Sequence, residues 1–291
     1  MYIYLDQDNI DRLGKLDLKD PLYSATIQLF NDNDLTLVMS FTHIVESVKI
    51  STQTALSRKN FIDRIRNKKV IKQFIELIPG EIAEKFSGEK FSPFYNNFYE
   101  ISPKTIPIVS DKFGYFEVIK DIKTSPRDHE KPNEEFRRIK EESLKFQKAK
   151  RFSRKEILNK YMNNTPTRNF LSSCIPKNLK NKEELIIEEV VNCKILLPTL
   201  ETHLLIQTEM NLDPKRKLNN SDINDVFHLS GSLVYCDYVS ADGYFSHIVS
   251  EAFKAKNEFK LGKCLTFGSV EELLNYLEQN LKGNKHVSPN P

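Results

Sequence analysis

Tryptophan is absent from the 291 residues, and no apolar run approaches the roughly 18–20 residues that a bilayer-crossing helix needs. A membrane span is therefore not expected. The four cysteines, Cys174, Cys193, Cys236 and Cys264, are scattered and form no CxxC pair. That argues against a zinc ribbon or a disulfide framework, and reduced thiols are expected. There is no phosphate-binding glycine loop, no GxSxG elbow and no HExxH helix. The usual signatures of P-loop enzymes, α/β-hydrolases and zinc proteases are thus missing. The opening "MYIYLDQDNI" has acids where a signal peptide carries a positive charge and then a long apolar core, so a cytoplasmic protein is expected. No internal repeat is visible.

What is present is a chain with 39% hydrophobic and 29% charged residues, rich in Phe and Tyr. It can bury a substantial core as one large domain or two small ones. Net charge is only +3, but it is uneven: −2 over residues 1–60, +10 over 61–180 and −5 over 181–291. A basic middle suits a polyanionic partner, although any one charge run can equally be a solvated helix face. Acidic ends that meet in space suit a cation.

The pattern of residues 1–60 reads strand, helix, strand, helix. "YIYLD" is a short strand ending in Asp6, and Pro21 opens a helix. "LTLVM" at 35–39 is a strand apolar on both faces, and Ser40 can cap "FTHIVESVKI". "FIDRIRNKKVIKQFIELI" predicts a helix stopped at Pro79-Gly80, and 134–160 one long basic helix. "EELIIEEVVNCKILL" suits helix or strand, and a helix follows from Pro198. "LVYCDYVSAD" at 233–242 predicts a buried strand with Asp237 inside it and Asp242 at its exit. A helix over 243–255, a strand in "CLTFG" and a capped helix from Ser269 complete the chain. The order predicts an α/β fold: a three-layer α/β/α sandwich around a mainly parallel sheet. Its core would combine 1–60 and 181–281. Residues 61–180 would form a basic, mainly helical insertion, and 282–291 a disordered tail.

In such a sheet ligands bind beyond the carboxyl ends of the strands. Asp6 and Asp242 fall near that edge, Glu46 lies on the helix after the second strand, and Asp225 lies on the helix before "YCDYVSAD". If the strands of Asp6 and Asp242 are neighbours, four acids can converge on one pocket. Converging carboxylates repel unless a cation compensates, and Mg2+ or Mn2+ are the hard, oxygen-preferring candidates. Asp237 is a fifth candidate ligand. Each acid also has a plain role available as a turn, cap or surface residue. His43 and His228 each stand three residues from one of these acids. They suit hydrogen-bond support of a ligand better than ligation itself.

"IYLDQDN", Glu46 in "SFTHIVES", and "SDINDVFH" followed by "YCDYVSAD" resemble the acidic signature of PIN-domain nucleases. The match covers roughly 1–55 and 185–280. The asparagine of the opening, Asn9, stands one place later than the family pattern has it. The resemblance implies a PIN-like sandwich and metal-dependent hydrolysis of single-stranded RNA. Asp6, Glu46, Asp225 and Asp242 would then be the catalytic and metal-site acids, with Asp237 a further metal candidate. Such domains often pair, which leaves a homodimer open, and one chain identifies no antitoxin or defence partner. Within the basic helix, Arg137, Arg138, Lys148, Arg151 and Arg154 are the candidates for holding RNA phosphates. Two other readings stay open. One is a non-catalytic RNA-binding or scaffold protein of the same fold. The other is a DNA-directed nuclease or phosphatase using the same acids.

Overall fold

The computed structural model describes residues 1–49, 51–101, 154–212, 220–254 and 264–284. Its centre is a six-stranded mixed sheet. The strands are β1 (Tyr2–Leu5), β2 (Thr36–Met39), β3 (Asn67–Ile71), β4 (Phe94–Tyr95), β5 (Tyr238–Ser240) and β6 (Leu265–Phe267). Their spatial order is β4-β3-β2-β1-β5-β6. All pairs are parallel except β3 with β4.

Alternation along each strand sends side chains to two separate cores. Ile3, Leu5, Leu37, Met39 and Val70 face one side. There they meet α1 (Gln7–Lys15), α2 (Pro21–Asp32), α4 (Thr52–Arg64) and α12 (Val270–Asn284). Tyr4, Val38, Ile71 and Val239 face the other side. That face is covered by α5 (Phe74–Ser87), α9 (Pro198–Leu212), α10 (Asn220–Tyr235) and α11 (Gly243–Lys254). A third apolar cluster joins α5 and α9 to α6 (Arg154–Asn163), α7 (Thr165–Cys174) and α8 (Glu183–Val191). The α/β reading holds, with helices on both faces of the sheet. Among the described residues no helix is long and apolar enough to cross a membrane.

The structure differs from the sequence expectation in two stretches, 61–87 and 233–242. The helix expected over 61–78 stops at Arg64, and Asn67–Ile71 pairs with β2. Val70 and Ile71 bury in opposite cores, so sheet pairing overrides a helical spacing that would have buried only one face. Residues 61–95 therefore add two strands to the sheet and are not helical throughout. Next, α5 runs straight through Pro79-Gly80. A proline there removes the amide that would bond the Ile75 carbonyl, but Ile75 is exposed, so water can take its place. The second difference is at "LVYCDYVSAD". Val234 and Tyr235 end α10, and the strand keeps only Tyr238–Ser240.

Candidate functional site

The chain leaving β1 turns through α1 toward β2, on one side of the sheet. The chain leaving β5 turns through α11, on the opposite face, toward β6. Two neighbouring parallel strands whose connections diverge leave a crevice above their carboxyl ends. Leu5 pairs with Ser240, and the Asp6 amide donates to the Ser240 carbonyl at 2.9 Å. Asp6 and Asp242, distant in sequence, are thereby brought to the same edge of adjacent strands. Both open helices. The Asp6 carboxylate accepts from the Gln7 amide at 2.7 Å, and the Asp242 carboxylate from the Phe245 amide at 2.7 Å. Two helix N-termini, with their unsatisfied amides and partial positive charge, flank the crevice.

The crevice itself is narrow, about 10 Å³, enough for one water-sized sphere. Asp6, Gln7, Thr42, His43, Asp225 and His228 line it, over an apolar floor that includes Tyr4, Leu229 and Phe245. Asp225 therefore comes to the same place as Asp6, from the far face of the sheet. Glu46 lies on α3 (Phe41–Lys49), but its side chain is outside the described residues.

Asp237 does not join this group. It precedes β5, at the opposite end of the strand from Asp242, and its carboxylate accepts the Tyr2 amide at 2.7 Å. Its amide in turn donates to the Tyr2 carbonyl at 2.9 Å. It closes the start of the β1–β5 ladder. Asp237 thus lies at the opposite edge of the sheet from Asp6 and Asp242. Arg137, Arg138, Lys148 and Arg151 lie outside the described residues, as does the side chain of Arg154, which opens α6.

His43 is a strut. Its Nδ1 accepts the Ser40 amide at 2.9 Å, so its Nε2 carries the proton and donates to the Leu5 carbonyl at 2.9 Å. Both ring nitrogens are committed, which removes it from metal ligation. Burial, aided by the Arg58 charge, holds its pKa down to about 4 against two backbone hydrogen bonds that favour the proton. His228 is also held neutral, chiefly by burial and then by neighbouring His43.

Below the crevice lies a polar network that the sequence reading missed. Arg58, 2% exposed, forks onto both oxygens of Asp11. It also donates to Ser47, and the inward-turned Gln7 amide oxygen accepts from it. A single guanidinium thus ties α4 to α1 and α3, next door to Asp6. Its position could have been found: Ala55, Arg58, Phe61 and Ile62 share one helical face, so the arginine falls on the buried stripe. Asn9 donates to Ser240 Oγ at 2.9 Å, fixing α1 to β5 as well.

Among the described residues no three His, Cys, Asp or Glu side chains stand close enough to hold a metal ion. The donor chemistry suits a hard cation, because carboxylate oxygens are the ligands such ions prefer and the ion can retain waters. A closed ligand cage is not formed by these residues. Comparison with protein-family models, curated proteins and solved structures returned no match, so the site is read from its geometry and chemistry.

Proposed function

We propose that the chain is a metal-dependent endoribonuclease of PIN-like fold. The observation that carries this reading is that Asp6 and Asp225 line one crevice at the carboxyl end of β1, while Asp242 opens the helix that leaves the neighbouring strand β5 at the same edge. The strand order with β1 central and the sequence resemblance both agree with it. Mg2+ or Mn2+ would be held by Asp6, Asp242 and Asp225, with Glu46 as the fourth acid. A bound ion of this kind lowers the pKa of its water and neutralises charge on a leaving oxygen. The protein's own part is to aim those carboxylates. The α1 and α11 amides fix one oxygen of Asp6 and one of Asp242. The same helix ends favour an approaching phosphate. A crevice of one-water size would take the ion alone, with its waters and the RNA strand lying at its mouth. The +10 charge of residues 61–180 supplies attraction for the backbone.

The test is cleavage of single-stranded RNA, single-stranded DNA, forked DNA and a phosphomonoester, with Mg2+, Mn2+ or EDTA. Metal-dependent RNA cleavage that is lost in Asp6→Asn and Asp242→Asn supports the reading. Full activity in either variant, or in excess EDTA, would falsify it.

One observation favours a second reading, a non-catalytic RNA-binding scaffold: the described acids do not by themselves complete an ion's ligand shell. It predicts RNA retention without turnover under every divalent ion.

A further inference from the structure

A second, larger cleft of about 510 Å³ opens between the end of α1, the loop before α2 and the end of α4. Its volume lies in the range of small-molecule sites. It is remote from the carboxylate edge. α1 begins beside Asp6 and reaches this cleft only at Gly14, eight residues on, which at about 1.5 Å per residue is roughly 12 Å.

The walls have two characters. Leu16, Leu18 and Tyr23 give an apolar side, and Leu18 is left 56% exposed. Ser57, Asn60, Asp63 and Arg64 give a polar side, all from α4. Asp63 is neutralised by its pairing with Lys59. Arg64 makes no ion pair among the described residues, so it sets the sign of the cleft. Tyr23 carries the second clue. The residue is 4% exposed and its ring packs edge-on against Phe61, yet its hydroxyl has no hydrogen-bond partner among the described residues. The hydroxyl oxygen is not sealed from water, so it stands as an available donor at the cleft wall. Here the hydroxyl opens onto the cleft, close enough to feel the Arg64 charge against the effect of burial. The floor is rigid: a Cβ on Gly14 would stand 3.0 Å from the Ser57 carbonyl, so α1 and α4 are in backbone contact.

We propose that this cleft binds a small organic anion, its phosphate or carboxylate head on Arg64 and the Tyr23 hydroxyl and its ring-bearing body on Leu16 and Leu18. The guanidinium and phenol supply charge-assisted donors of the kind both heads need. The apolar wall rewards a planar body over a bare ion.

The experiment is calorimetric titration of the full chain in EDTA, which keeps metal-bound nucleotide off the carboxylate edge. Adenosine 5′-monophosphate and benzoate are the two probes. Saturable binding of either is expected, and which one binds identifies the head group. Tyr23→Phe, which removes only the hydroxyl, and Arg64→Ala should each weaken it about tenfold. No saturable binding of either probe at millimolar concentration overturns the proposal, as does wild-type affinity in either variant.

Discussion

The ring of His43 holds the carbonyl of Leu5 at 2.9 Å, one residue before Asp6. The same ring takes the Ser40 amide at the end of β2. One side chain therefore sets the relative height of two strand ends, and with them the position of the candidate catalytic edge. His43→Ala removes the side-chain partner of both backbone groups. Loss of about 2–4 kcal/mol is expected, measured by urea denaturation. His43→Gln should recover part of it.

Asp11 and Arg58 form a buried pair that responds differently to single and double substitution. Asp11→Ala strands a guanidinium that also contacts Ser47 and Gln7, and should cost about 3–5 kcal/mol. The double variant Asp11→Leu with Arg58→Met should recover much of that loss. A double variant no more stable than Asp11→Ala would show that the network, not the charge, is what matters.

Asp237 and Asp242 bracket one strand, and their separation gives a sharp comparison. Asp242→Asn should abolish metal-dependent cleavage. Asp237→Asn keeps an oxygen for the Tyr2 amide and lies at the far end of β5, so cleavage should persist. Equal loss in both variants would place the chemistry elsewhere.

Buried titrating groups make stability depend on pH in two opposed ways. His43 and His203 are held neutral by burial, at about 4 and about 3, below the ordinary 6.5. Their contribution is complete above pH 6.5 and is lost as pH falls toward those values, because only the unfolded chain takes up the proton. Glu201 behaves in the opposite sense. Burial, then the charge of Glu81, raises it to about 7. The folded state therefore holds a proton that the unfolded state releases, and stability falls as pH rises from about 4.5 to about 7. Denaturation midpoints across pH 4–8 should show a maximum, and Glu201→Gln should flatten its alkaline side.

Glu81, whose charge acts on Glu201, is itself held by partners on two other helices. Its carboxylate, on α5, accepts the Thr199 amide at 3.1 Å and the Tyr235 hydroxyl at 2.6 Å, together with the Thr199 hydroxyl. It caps α9 from another helix and ties the end of α10 to both. Nothing in the spacing of residues 81, 199 and 235 announces this contact. The same contact helps to keep "LVY" helical. Tyr235 reaches Glu81 from the last turn of α10, and Gly231 lets that helix close on Leu77, where a Cβ would come within 2.6 Å.

The sequence by itself determined the local elements with strong chemistry: Asp6 ending β1, Pro21 opening α2, the doubly apolar β2 and the Ser269 start of α12. Each depends on residues within one helical turn or one strand length, so neighbours suffice. The alternation of elements also determined the α/β class. Tertiary structure alone decided that Asn67–Ile71 is a strand, since its stability comes from pairing with β2 and from two cores assembled from distant segments. It alone separated Asp237 from Asp242, because a three-residue strand puts its two ends on opposite edges of the sheet. And it alone buried Arg58 and His43, whose partners lie on other elements and whose charge states follow from the water those elements exclude.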